Sequence, residues 1–257
     1  MPGRLLLNGG DEFRPGNETQ DRELVAAAGP GVAYVVATAA RRQHPEMAVA
    51  TARRWFAGLG LELRELPVYT RTDANSAELA AEAATAGLVY LTGGDPGLLA
   101  QTLRGSRVWA AVVDAWRGGA ALAGSSAGAM ALCEWTLVMA RWPRHHERRL
   151  EDALDLVPGT AVLPHYETMG SRWSVEQRPD GMTLLGIDER TAAVWDGAGW
   201  HAAGAGAVTV IAGAETARFE AGERCRGIPA PRLAPPAGKE DDFAPPDPPA
   251  DEGGVMN

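Results

Sequence analysis

The chain is poor in cysteine, in lysine and in long apolar runs. Only Cys133 and Cys225 carry thiols among its 257 residues. Two thiols so far apart make no disulfide framework, and no metal-ligand spacing surrounds them. The expectation is a reducing, cytoplasmic setting with no metal and no cofactor. Lys239 is the single lysine, every other basic side chain except histidine being arginine, which reads as coding bias. No apolar run is long enough to span a bilayer, so no membrane partner is expected. Met1–Leu7 reads as entering a strand at once, without the apolar core and cleavage site of a signal peptide. A basic surplus is missing too. The formal net charge is −9 and the isoelectric point about 5.1, which argues against a nucleic-acid partner.

What remains is an ordinary globular composition, 46% hydrophobic and 22% charged, long enough to bury a substantial core. Strand-like and helix-like segments alternate. Strands are expected at Arg4–Asn8, Val32–Thr38, Leu61–Val68 and Leu88–Leu91. Helices are expected at Thr19–Ala28, Pro45–Gly58, Ala77–Ala86, Leu98–Leu103 and Val108–Arg117. Pro45 in a first turn and Gly58 at the end punctuate the clearest of these. Apolar strands alternating with helices imply an α/β fold, a mostly parallel central sheet with helices on both faces. The C-terminal part is more β-rich, with short strands at Ala161–Leu163 and Leu184–Ile187. Thr191–Trp195 and Gly206–Ala212 read as strands joined through the turn at Asp196-Gly197, with Trp200-His201 in an intervening strand. From Ile228 the composition turns proline-rich and acidic. Residues 1–227 are therefore expected to form one domain, and 228–257 a tail that is mobile or laid over the surface.

Ligands of parallel sheets bind beyond the carboxyl ends of the strands. Three glycine-rich breaks are expected there: Gly9-Gly10-Asp11, Gly93-Gly94-Asp95 and Ala123-Gly124-Ser125-Ser126-Ala127-Gly128-Ala129. The third, between two apolar runs, is a nucleophile elbow of the G-x-S-x-G type. Gly124 and Gly128 flank Ser126 because such a turn packs closely on both sides. The amide of Ala127 would open a helix, free to meet a developing oxyanion. The same residues could equally make a small-residue turn without chemistry.

A serine hydroxyl needs a base, and the base an orienting acid. His44, His145, His146, His165 and His201 are the candidates for the base. His165 follows the apolar run Thr160–Pro164 and should emerge at a strand's carboxyl end. His44 precedes Pro45 at a helix start, His145 and His146 lie in a charged segment, and His201 neighbours Trp200 near a turn. For the acid, Gly186-Ile187-Asp188-Glu189 supplies two adjacent carboxylates, of which only one can face the imidazole. Glu167 is a rival two residues from His165.

Thr92-Gly93-Gly94-Asp95, then Gly124-Ser125-Ser126-Ala127-Gly128-Ala129, Leu163-Pro164-His165-Tyr166 and Gly186-Ile187-Asp188-Glu189-Arg190-Thr191-Ala192 resemble, in order and spacing, the cyanophycinase and dipeptidase E family of serine peptidases. The likeness runs from about Arg4 to Ala212. It implies a flavodoxin-like fold related to class I glutamine amidotransferases, with serine in place of their cysteine. It also implies Ser126 as nucleophile, His165 as base, Glu189 as triad acid, and an oxyanion hole from the amides of Gly94 and Ala127.

The expected substrate is a small peptide or isopeptide, with a homodimer as an option for assembly. Cyanophycinases, which cut β-aspartyl-arginine units, usually show Gln after Gly-Gly-Asp, where this chain has Pro96. They usually show Asp-Gln before a His-Phe pair, where it has Leu163-Pro164 before His165-Tyr166. The Pro-His-Tyr triplet is nearer to dipeptidase E, which removes N-terminal aspartate, whereas Gly-Gly-Asp-Pro is not the dipeptidase pattern. Asp95 and Arg172 are candidate substrate contacts. Arg141, Arg144, Arg148 and Arg149, with His145 and His146, form a basic run that could grip a carboxylate or simply be a solvated loop neutralised by Glu147, Glu151 and Asp152. An amidase or esterase for a specialised metabolite, using the same triad, and a silent binding protein are the competing readings.

Overall fold

The computed structural model describes residues 1–139, 148–170 and 178–233. The first half runs β1 (Leu5–Asn8), α1 (Glu18–Ala26), β2 (Val32–Val36), α2 (Pro45–Gly58), β3 (Leu63–Glu65), α3 (Arg71–Ala74), α4 (Ala77–Ala84) and β4 (Ala86–Leu91). It continues through α5 (Pro96–Leu103), α6 (Arg107–Arg117), β5 (Ala121–Ser125) and α7 (Ala127–Leu132). The second half adds β6 (Trp135–Met139), β7 (Arg148–Asp152), β8 (Thr160–Pro164), α8 (Tyr166–Met169), β9 (Thr183–Ile187) and β10 (Thr191–Trp195). It closes with β11 (Trp200–Gly204), β12 (Ala207–Ala212), β13 (Glu215–Glu220) and β14 (Arg224–Cys225).

The fold is α/β. The large sheet has the order β14-β11-β10-β1-β5-β4-β2-β3. Its β1, β5, β4, β2 and β3 are parallel, and β10 returns antiparallel against β1. Alternation along β1 shows why both faces must be covered. Leu5 and Leu7 enter a core shared with α4 to α7, while Leu6 enters another with Leu24 of α1 and Val49 and Phe56 of α2. All three leucines are fully buried, each contributing roughly 1.5–3 kcal/mol. The start of the tail lies on this body: Trp200 Nε1 donates to Pro229 O at 2.9 Å and Arg232 Nε to Asp155 Oδ1 at 3.0 Å.

Two expectations need correction. Thr191–Trp195 and the strand after Gly206 do not pair through Asp196-Gly197. That turn joins β10 to β11, and β12 leaves for a second sheet of order β13-β12-β9-β8. The cause is non-local: β12 finds both its partners, β9 and β13, outside the large sheet. Arg148 and Arg149 belong not to a loop but to β7, antiparallel to β6, with Arg149 paired to Glu151. Smaller differences lie at the ends of elements. The strand expected over Leu61–Val68 is laddered only at Leu63–Glu65, and the helix from Ala77 stops at Ala84 because Ala86 already pairs with Val32.

One buried carboxyl works against this packing. Asp21 of α1 accepts from Trp55 Nε1 of α2 at 2.7 Å, while its Oδ1 has no partner among the described residues. Burial, with Glu12 and Glu18 adding repulsion, pushes it up to about 7 from 3.8. The unfolded chain therefore gives up this proton near pH 4 and the folded chain only near pH 7. Stability from this group falls across that window and stays low above it. Asp21→Asn should match wild type or fall below it near pH 4. It should gain on wild type up to pH 8, by at most about 4 kcal/mol. Urea unfolding of both proteins at the two pH values measures the difference. A gap that does not widen with pH would show that Asp21 titrates normally.

Candidate active site

Because β1, β5 and β4 are parallel neighbours, the breaks after Asn8, Ser125 and Leu91 open on one edge of the large sheet. Ser126 leaves β5 with φ 48° and ψ −108°, a backbone position that costs an L-residue about 1–3 kcal/mol. Close packing holds it there. A Cβ on Gly124 would lie 2.4 Å from the Gly128 carbonyl carbon, and one on Gly128 2.3 Å from Leu91 O. Ser126 N donates to Asn8 O at 3.0 Å. From Ala121 to Cys133 every residue is buried except Ser126, so the turn presents one hydroxyl to the outside.

His165 comes from the other sheet. It follows β8, also with positive φ (91°), and its amide donates to Ile187 O at 3.3 Å. Its Nε2 lies 2.9 Å from Ser126 Oγ and its Nδ1 3.0 Å from Glu189 Oε1. Gly10 packs directly on the ring. A Cβ there would sit 2.2 Å from His165 Cε1. The adjacent carboxylates diverge. Asp188 is buried, its Oδ2 accepting from Ala207 N and Arg218 Nη2, while Glu189 turns outward to the imidazole. Glu167 accepts the Glu189 amide with both oxygens at 3.0 Å. It thus supports the Glu189 backbone and does not compete for the ring.

The glycine break after β4 faces the same place. Thr92 N donates to Val36 O at 3.1 Å, Gly93 N to Glu12 Oε1 at 3.0 Å and Asp95 N to Ala39 O at 2.8 Å. The amide of Gly94 has no partner among the described residues. Its φ of 139°, and an ideal Cβ position 2.2 Å from Ala39 O, leave room for glycine alone. The amides of Ala127, Gly128 and Ala129 are likewise unpaired there, as the first turn of a helix requires. Asp95 Oδ1 accepts from Leu98 N at 3.0 Å, capping α5; its carboxylate thus has a helix to hold.

The other histidines stand elsewhere. His44 is an exposed residue at the N-cap position of α2, 3.2 Å from Glu46. His201 of β11 pairs with Glu23 at 3.1 Å. Arg172, Arg141, Arg144, His145 and His146 lie outside the described residues. Two contacts could not be read from the sequence: that of Gly10 with the imidazole, and that of Glu12 with Gly93 and Ser125. Both residues lie in or beside the recognised Gly9-Gly10-Asp11 break, but loop side chains have no periodicity to announce their direction. Among the described residues no group of three or more His, Cys, Asp or Glu side chains could hold a metal ion, and no helix is long and apolar enough to cross a membrane.

Comparison with known proteins points the same way. Residues 5–202 match the family described as peptidase family S51. Cyanophycinases of Trichormus variabilis and of a Nostoc species are each 30% identical over 217 residues, covering 80% of this chain and 72% of theirs. The crystal structure of a peptidase from an acI-B1 actinobacterium superposes with a TM-score of 0.77 at 30% identity, covering 88% of this chain and 97% of that one.

Proposed function

The chain belongs to peptidase family S51 and is a serine peptidase, and on that footing we propose that it hydrolyses a peptide or isopeptide bond through Ser126, His165 and Glu189 by way of an acyl-enzyme. The observation that carries the reading is the continuous hydrogen-bonded line from Ser126 Oγ through both imidazole nitrogens to Glu189 Oε1. A carboxylate can only accept, so Glu189 keeps the proton on Nδ1 and leaves Nε2 as the acceptor for the serine proton. In this reading His165 takes that proton as Oγ bonds to the carbonyl carbon. The carbonyl oxygen becomes an anion held by the amides of Gly94 and Ala127. Loss of one such donor typically costs about 3–4 kcal/mol of barrier. His165 then gives its proton to the leaving amine as the C–N bond breaks. Water, deprotonated by the same imidazole, releases the acyl group and restores the serine.

The substrate we favour is a small, aspartyl-containing peptide. The named relatives support this class, and so does a cation beside the triad. Arg190 follows Glu189, is half-exposed, and is held by Asp11 at 3.1 Å next to the Gly10 that touches His165.

A fluorophosphonate probe followed by peptide mass mapping should place the adduct on Ser126. A panel of α-aspartyl dipeptides, a β-aspartyl-arginine dipeptide, neutral dipeptides and simple acyl esters should show aspartyl substrates cleaved at least about ten-fold faster than neutral ones, a difference of about 1.4 kcal/mol in barrier. Turnover of esters alone would favour the amidase or esterase reading. An unlabelled protein would overturn the proposal altogether.

A further inference from the structure

The geometry points to Glu12 as a positioning residue that ties the Gly93-Gly94 side of the oxyanion hole to the elbow carrying Ser126. This inference rests on the triad reading above. Glu12 lies in the break after β1 and is partly buried. Its Oε1 accepts from Gly93 N at 3.0 Å, and its Oε2 from Ser125 Oγ at 2.9 Å. Each contact falls one residue before a group that must be aimed: Gly93 before the free amide of Gly94, Ser125 before the nucleophile. One carboxylate therefore links the loops after β1 and β4 to the last residue of β5, at the edge of the sheet where the three meet.

Such a tie is needed because Gly93-Gly94 has no side chains and the widest backbone freedom available. Its ends are fixed through Thr92 N to Val36 O and Asp95 N to Ala39 O. Between them the Gly93 carbonyl accepts only from its own neighbour, Thr92 Oγ1 at 3.3 Å, and among the described residues Glu12 supplies the hydrogen bond that holds the Gly93 amide from another loop. The glycine is what admits the carboxylate, since a Cβ on Gly93 would lie 2.9 Å from Glu12 Oε1. Hydrogen bonds to a charged acceptor are about twice as strong as neutral ones, so a single residue can fix both loops. Glu12 touches no reacting atom in this scheme; it sets the distance between the Gly94 amide and Ser126.

The test compares Glu12→Ala, Glu12→Gln, Ser125→Ala and Ser126→Ala with wild type. The readouts are fluorophosphonate labelling rate, kcat and KM on the best peptide of the panel, and thermal midpoint. A misaimed oxyanion donor should lower labelling rate and kcat about 100-fold in Glu12→Ala, with KM within about three-fold of wild type. Glu12→Gln should recover at least about ten-fold of that. Its Oε1 can still accept from Gly93 while its Nε2 donates to the Ser125 hydroxyl. Ser125→Ala cuts one link only and should lose about three- to ten-fold in kcat, on the order of 1 kcal/mol.

The tie is overturned if Glu12→Ala works at the wild-type rate, if its loss appears in KM, or if Glu12→Gln is equally slow with its thermal midpoint intact. Should Glu12→Ala not fold, Ser125→Ala decides, and an unchanged kcat there counts against the tie. Ser126→Ala separates the two levels. Hydrolysis persisting in that variant defeats the triad reading itself, whereas an inert Ser126→Ala beside a fully active Glu12→Ala defeats only the tie.

Discussion

Ser126→Ala should cost about 10⁵-fold or more in kcat and abolish fluorophosphonate labelling, with little change in stability. On the proposed mechanism the scale follows from the loss of nucleophile and general-base partner as one unit, where removing either member removes most of the chemistry. The stability expectation follows from the backbone. Ser126 sits at φ 48°, a region that resists any side chain with a Cβ, and alanine keeps the Cβ. The packing of Gly124 on Gly128 and of Gly128 on Leu91 is untouched. Only the 2.9 Å contact to His165 Nε2 disappears. Steady-state hydrolysis and thermal unfolding of the two proteins check both halves. Residual hydrolysis within about 100-fold of wild type, or labelling that moves to Ser125, would remove Ser126 from the reaction.

Glu189→Gln should be the next most damaging change, at about 10³–10⁴-fold in kcat. The amide keeps the carboxylate's shape but loses its charge and its one-way hydrogen bonding. Glutamine can turn its NH₂ toward Nδ1, which moves the imidazole proton to Nε2 and leaves Ser126 facing a donor. Even in the productive orientation, no negative charge balances the imidazolium formed when Oγ attacks. The proposed triad is not deeply sealed, His165 and Glu189 both being 27% exposed, so water screens part of that charge and the lower end of the range is the better expectation. The support beneath it survives, since Glu167 bonds the backbone of residue 189 and not its side chain. KM should therefore change little. A kcat within about ten-fold of wild type would mean that another group orients the ring.

Local chemistry was legible in the sequence, and long-range pairing was not. The helix Pro45–Gly58 could be bounded to the residue because proline and glycine act where they stand. The elbow was visible for the same reason: its tight turn demands small neighbours within two residues of Ser126. His165 could be placed at a strand end from the apolar run before it. The choice between Asp188 and Glu189 could not be made from spacing. Ala207 N and Arg218, 30 residues away on β13, together draw Asp188 inward and leave Glu189 to face the imidazole. The switch of β12 to a second sheet was hidden for a related reason. Alternation marks a strand but says nothing about which neighbour it will find. The strand expected over Leu61–Val68 shows the opposite error. Leu63, Leu66 and Val68 are buried as the pattern suggests, but the ladder to β2 ends at Glu65.

The hydroxyl of Ser126 is mounted on the large sheet, while the imidazole rides at the tip of β8 in the small one, and Glu189 occupies the crossing where the chain passes between them. The proposed triad is thus assembled across two sheets. What holds the two in place is one core, in which Leu7 and Leu122 of the large sheet pack in the same cluster as Val162, Leu185 and Val208 of the small one. On the proposed mechanism, the distance between Ser126 Oγ and His165 Nε2 is therefore set by side chains that touch neither of them.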